Sequence, residues 1–111
     1  MLHKPVSFIV PAILLAAALL EAGGDAVVRK GLRGSGILVI VTGMLMLGCY
    51  GVVVNTVKWD FSKLLGVYVG VFALISVLMG RFLFRENIPF STWLGLSIVI
   101  IGGLVIQFGS R

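Results

Sequence analysis

Charge and reactive chemistry are scarce in this chain. Of 111 residues only 12% are Asp, Glu, Lys or Arg, and the acids number four. The single cysteine, Cys49, excludes a disulfide framework or thiolate metal cluster built within one chain, and is expected to be a small packing residue. The single histidine, His3, stands in the N-terminal tail. No Ser/His/Asp grouping, phosphate-cradling glycine loop or metal-ligand spacing accompanies it, so no cofactor or metal is expected and the chain does not read as an enzyme.

What the chain has in abundance is apolar side chain. The apolar fraction is 59% and the mean hydropathy +1.17, outside the range of an ordinary soluble domain. Four segments, about 6–28, 36–57, 64–84 and 88–108, have the ~17 to 25 mainly apolar residues that a transmembrane helix requires. They predict an all-α membrane protein, residues 1–111 forming a single four-helix transmembrane domain. The loops between them are too short for a soluble module. Lys4, the apolar run after it and Ala16-Ala17-Ala18 superficially resemble a secretory signal peptide, but cleavage would leave only three spans, so the segment is read as the first of four. The net charge of +5 does not point to nucleic acid, because the basic residues are spread over helix ends instead of one water-exposed face. Interfacial anchoring and attraction to lipid headgroups account for them.

Local punctuation agrees with these spans. Pro5 suits the first turn of helix 1, and Gly31 and Gly34 flank the basic connection that ends it. Gly43, Gly48 and Gly51 offer helix 2 places for close helix contact. Trp59 and Trp93 fall near span boundaries, where interfacial aromatics sit. Pro89 restarts the chain after the polar corner Arg85-Glu86-Asn87. With both termini on one face, that face receives Lys4, Lys58, Lys63 and Arg111, and the other receives Arg29, Lys30, Arg33, Arg81 and Arg85. Four against five is almost no bias, so the positive-inside rule permits insertion in either orientation.

Against this background the stretch Leu19-Leu20-Glu21-Ala22-Gly23-Gly24-Asp25 is anomalous. Val6 to Leu20 covers about 22 Å at 1.5 Å per residue, short of a ~30 Å hydrocarbon core, so the span must continue past Glu21. An ionised carboxylate at the bilayer centre costs about 2.5 to 3.5 kcal/mol on insertion scales, and an intramembrane acid is a functional-site candidate by default. Glu21 and Asp25 are one turn apart on one face, and Arg29 extends the row. Two readings of Asp25 stand: it joins Glu21 in a site, or it pairs with Arg29 near the helix end. Gly23 and Gly24 serve either close packing or a cavity edge.

Taken in order, these features resemble the small multidrug resistance family within the drug/metabolite transporter superfamily. The resemblance covers nearly the full chain: four short helices, a glutamate in Ala-Ala-Leu-Leu-Glu-Ala-Gly-Gly of helix 1, a glycine-rich aromatic stretch Gly66-Val67-Tyr68-Val69-Gly70 opening helix 3, and the corner Phe82-Leu83-Phe84-Arg85-Glu86-Asn87-Ile88-Pro89. In helix 4, Gly95, Gly102 and Gly103 are similar to the family's small-residue dimerisation face. The resemblance implies an antiparallel homodimer in a bacterial or archaeal inner membrane, with Glu21 binding either protons or a small cationic substrate. Tyr68 falls where exporters of the family carry a tryptophan lining the site. A tyrosine there still offers a π face to a cation and a hydroxyl to a carboxylate, or packs between helices. Asp25 is a further departure, since well-known members have a neutral residue there. Tyr50 of helix 2 is a candidate for the same cavity.

The mechanism this implies is proton-coupled export of cationic or hydrophobic cationic compounds, with proton and substrate competing for Glu21 and two protomer conformations exchanging to give alternating access. A second reading is a non-coupled membrane subunit of a heteromeric carrier for a lipid-linked substrate. A third is a structural helix bundle that modulates another membrane protein. The balanced charge tally favours the self-sufficient homodimer.

Overall fold

A computed structural model describes residues 9–109. Pro5 and His3, and the Lys4 and Arg111 of the charge tally, lie outside the described residues. Four helices, α1 (Ile9–Lys30), α2 (Ile37–Val54), α3 (Phe61–Phe82) and α4 (Phe90–Phe108), and no strand are present among them. All four are long and apolar enough to cross a membrane. The fold is all-helical, as the hydropathy pattern requires.

The helix ends are set by local chemistry. After α1 the backbone makes one wide turn over Gly31–Ser35, closed by a Gly36 N–H donated to the Gly31 carbonyl at 3.2 Å. Gly34 and Gly36 have φ of 127° and 102°, a region that costs glycine nothing and other residues dearly. The α2 helix stops at Val54, earlier than its apolar run suggests. There the Asn55 side-chain amide donates to the Gly51 carbonyl at 2.8 Å and the Thr56 hydroxyl to the Val53 carbonyl at 2.7 Å, occupying acceptors at the helix end. The α3 helix begins three residues before the expected Leu64, because Asp60 is extended (φ −57°, ψ 143°) and the chain turns helical at once. Pro89, also extended, starts α4 as expected.

Exposure runs opposite to that of a water-soluble protein. Leu38, Leu45 and Val52 on α2 are 79%, 67% and 70% exposed, and no buried polar or charged residue occurs among those described. These apolar faces suit lipid. The hydroxyls of Thr42, Ser76 and Ser97 each donate to the carbonyl one turn back, so none is stranded in hydrocarbon. Cys49 is exposed on α2, not packed inside as its size suggested.

The chain divides between Lys58 and Trp59 into two compact units, the α1–α2 hairpin and the α3–α4 hairpin. In each, glycines let two backbones meet. That is the geometry expected where lipid supplies no hydrophobic drive and van der Waals packing between helices must do the work.

Candidate membrane-embedded acidic site

The first hairpin is zipped by a regular register. A Cβ placed on Gly31 would stand 2.7 Å from the Ile40 nitrogen, one on Gly43 would stand 2.7 Å from the Val28 nitrogen, and one on Gly24 would stand 3.0 Å from Leu47 Cγ. Each step back along α1 is matched by an equal step forward along α2. Carried further, the register sets Glu21 opposite Tyr50, Ala17 opposite Val54 and Leu14 opposite Val57. Ala17 and Val54 are 0% and 1% exposed, and Leu14 and Val57 are buried too. On α1 the row is Leu14, Ala17, Glu21, Gly24, Val28, Gly31, alternating steps of three and four as in a coiled-coil seam. Glu21 therefore occupies a seam position.

The side chains agree with the register. Glu21 and Tyr50 are both half-buried, and the Tyr50 hydroxyl lies within electrostatic reach of the Glu21 carboxylate. Ala18 and Ala22, beside Glu21, are buried. Depth follows from the same helix. Nine residues of continuous helix separate Glu21 from Lys30, about 14 Å of axis, which puts the carboxylate close to mid-core when Lys30 reaches the headgroups. Asp25 is exposed, about 7.5 Å of helix axis from Lys30, with Arg29 exposed one turn further on. Gly24 is a packing residue, its would-be Cβ 3.0 Å from the Gly43 carbonyl oxygen.

In the second hairpin Tyr68 is 3% exposed and stacks on Phe72, ring centroids 6.1 Å apart. Its neighbours on α3 meet α4 through Gly70, whose would-be Cβ lies 3.8 Å from Ile100 Cα, and through Gly103, whose would-be Cβ lies 3.7 Å from the Val67 carbonyl oxygen. The three glycines expected on an inter-chain face thus separate. Gly103 is buried against α3 of its own chain, because the helix crossing falls there, whereas Gly95 and Gly102 are exposed on α4.

Sequence reasoning missed the α1–α2 seam, although its signal, the alternation of three and four from Leu14 to Gly31, is present in the chain. It also missed the support of the α3–α4 corner. Arg85 takes a left-handed conformation (φ 56°), Glu86 N–H donates to the Gly80 carbonyl at 3.0 Å, and the Glu86 carboxylate lies over Gly80 where a side chain would otherwise stand.

Residues 9–111 match the family described as "Uncharacterised BCR, YnfA/UPF0060 family". The chain belongs to the YnfA/UPF0060 family. It is 34% identical to the UPF0060 membrane protein YfjF of Bacillus subtilis (strain 168) over 105 residues, covering 89% of this chain and 93% of the relative. It is 35% identical to a UPF0060 membrane protein of Nocardia farcinica over 97 residues, 86% of this chain and 87% of that one. A UPF0060 membrane protein of Synechocystis is 27% identical over 96 residues, 86% of this chain and 89% of that one. No solved structure matches. The YnfA/UPF0060 proteins belong to the drug/metabolite transporter superfamily, the broader grouping that the resemblance of the sequence implied. With four spans and relatives named as membrane proteins, the chain is a multi-pass integral membrane protein.

Proposed function

We propose that this YnfA/UPF0060 protein is a proton-coupled exporter of small cationic or hydrophobic cationic compounds, working as a homodimer, with Glu21 as the group that binds proton or cargo in turn. One observation carries this reading: a carboxylate at mid-depth of a span, half-buried in the α1–α2 seam with the Tyr50 hydroxyl within its electrostatic reach. In low dielectric a carboxylate charge is costly unless something compensates it. A proton does so, and so does a cation, and the two compete for one site. Loading cargo then releases a proton, and a proton gradient drives the reverse exchange. The near-balance of basic residues between the two faces supports a pair of identical chains inserted in opposite orientations.

The test is flux of guanidinium, quaternary ammonium ions and polyamines in proteoliposomes holding this chain alone, under an imposed pH gradient. Coupled flux and proton release on cargo addition are expected for the natural chain, and neither for Glu21→Gln. Equal proton release from both would remove the mechanism. Flux that requires a second, different chain would favour the heteromeric carrier.

A further inference from the structure

We infer that the second hairpin carries a binding site for the headgroup of a zwitterionic phospholipid with a primary ammonium, in the cavity at the start of α3. The cavity has a volume of about 580 Å³ and is lined by Trp59, Asp60, Ser62, Lys63 and Ile106. That size falls within the ~300 to 1,000 Å³ of small-ligand pockets. Its place in the chain is the end of an apolar span, where a tryptophan and a lysine mark the headgroup layer. Phe61, 71% exposed beside it, offers apolar surface to acyl chains.

The charges in the cavity are complementary to such a headgroup and are not consumed by each other. The Lys63 ammonium sits 4.5 Å from the centroid of the Trp59 ring. Asp60 makes no side-chain hydrogen bond to the α3 terminus, and no ion pair joins it to Lys63 among the described residues. An anion at the N-cap of α3 and a cation in its first turn, with Ser62 between them in sequence, line one cavity and offer one charge to each end of a zwitterionic headgroup. Lys63 takes the phosphate by a charge-assisted hydrogen bond. Asp60 takes the ammonium.

Selectivity follows from hydrogen-bond chemistry. A choline headgroup has no N–H to donate to Asp60, and the Lys63 ammonium already occupies one face of the Trp59 indole, in competition with a quaternary ammonium there. A glycerol headgroup leaves Asp60 facing a net anion with no cation to neutralise it. The site therefore prefers phosphatidylethanolamine to phosphatidylcholine and phosphatidylglycerol. This inference does not depend on the transport reading.

The experiment is native mass spectrometry of the purified full chain, delipidated and then offered equimolar phosphatidylethanolamine, phosphatidylcholine and phosphatidylglycerol. Preferential retention of phosphatidylethanolamine is expected, falling about tenfold in Asp60→Asn and in Lys63→Gln, with helix content by circular dichroism unchanged. Asp60→Asn is expected to lose discrimination against choline. Equal retention of the three lipids by the natural chain, a preference for phosphatidylglycerol, or a preference that survives both substitutions would overturn the assignment. Should either substitution unfold the chain, competition by soluble phosphoethanolamine against phosphocholine on the natural chain decides it: displacement of lipid by the first alone supports the site, and displacement by both or neither overturns it.

Discussion

In the α1–α2 hairpin a Cβ on Gly43 would stand 2.7 Å from the Val28 nitrogen and 2.8 Å from the Gly24 carbonyl oxygen. In the α3–α4 hairpin a Cβ on Gly103 would have its nearest neighbour, the Val67 carbonyl oxygen, at 3.7 Å. Both hairpins cross at glycine, but the first is locked backbone against backbone and the second is in ordinary van der Waals contact. The tighter seam is the one that holds the acid. Where two backbones touch, register cannot slide by a fraction of a turn, so the Glu21 carboxylate keeps a fixed height relative to Tyr50. Tyr68 and Phe72 stack on α3 beside the looser crossing, ring centroids 6.1 Å apart, within the broad range of separations that aromatic pairs adopt. A polar group at membrane depth needs its partners placed closely, whereas aromatic packing adapts.

The largest effect that bears on this contrast is on function. Glu21→Gln in the first hairpin is expected to abolish coupled flux with little change in fold, because the amide keeps the shape and loses the charge. A charge-neutral change that left coupling intact would make the seam structural only. Next comes stability. Gly43→Ala forces a methyl into the Val28 and Gly24 backbone, an overpacking expected to cost about 1 to 3 kcal/mol, read as a lower midpoint of thermal unfolding in detergent. Tyr50→Phe removes a hydroxyl from the neighbourhood of Glu21, and a threefold to tenfold change in cargo affinity, about 0.7 to 1.4 kcal/mol, is expected by isothermal titration. An unchanged affinity would remove Tyr50 from the site. The smallest effect is Gly103→Ala, where a methyl finds ordinary contact distances. Its stability is expected to change by no more than about 1 kcal/mol and to gain from the better helix former. If Gly103→Ala proved as damaging as Gly43→Ala, the difference between the two crossings would vanish.

Some of this was legible in the chain and some was not. Glu21 was identifiable as membrane-embedded because depth depends only on helical rise and on the length of the apolar run around it. Tyr50 was a bare candidate, since its relation to Glu21 depends on an antiparallel register between helices that neither segment encodes alone. The glycines were the least readable. Gly43, Gly48 and Gly51 look alike in α2, yet only Gly43 meets the α1 backbone, while α4 turns Gly103 inward and leaves Gly95 and Gly102 exposed. The Glu86 carboxylate over Gly80 was also invisible, because it depends on the left-handed Arg85 that folds the corner back on α3.

The number of spans, their approximate limits and the presence of an acid inside the first were determined by the sequence by itself, because the bilayer imposes length and polarity segment by segment. Which face of each helix meets its neighbour, and therefore that Glu21 looks across at Tyr50 with Gly24 and Gly43 clamped one turn below, was decided only by the tertiary structure. Lipid is as apolar as leucine, so hydrophobicity does not distinguish the inner face of a span from its outer one. Only the closest approach of two backbones does.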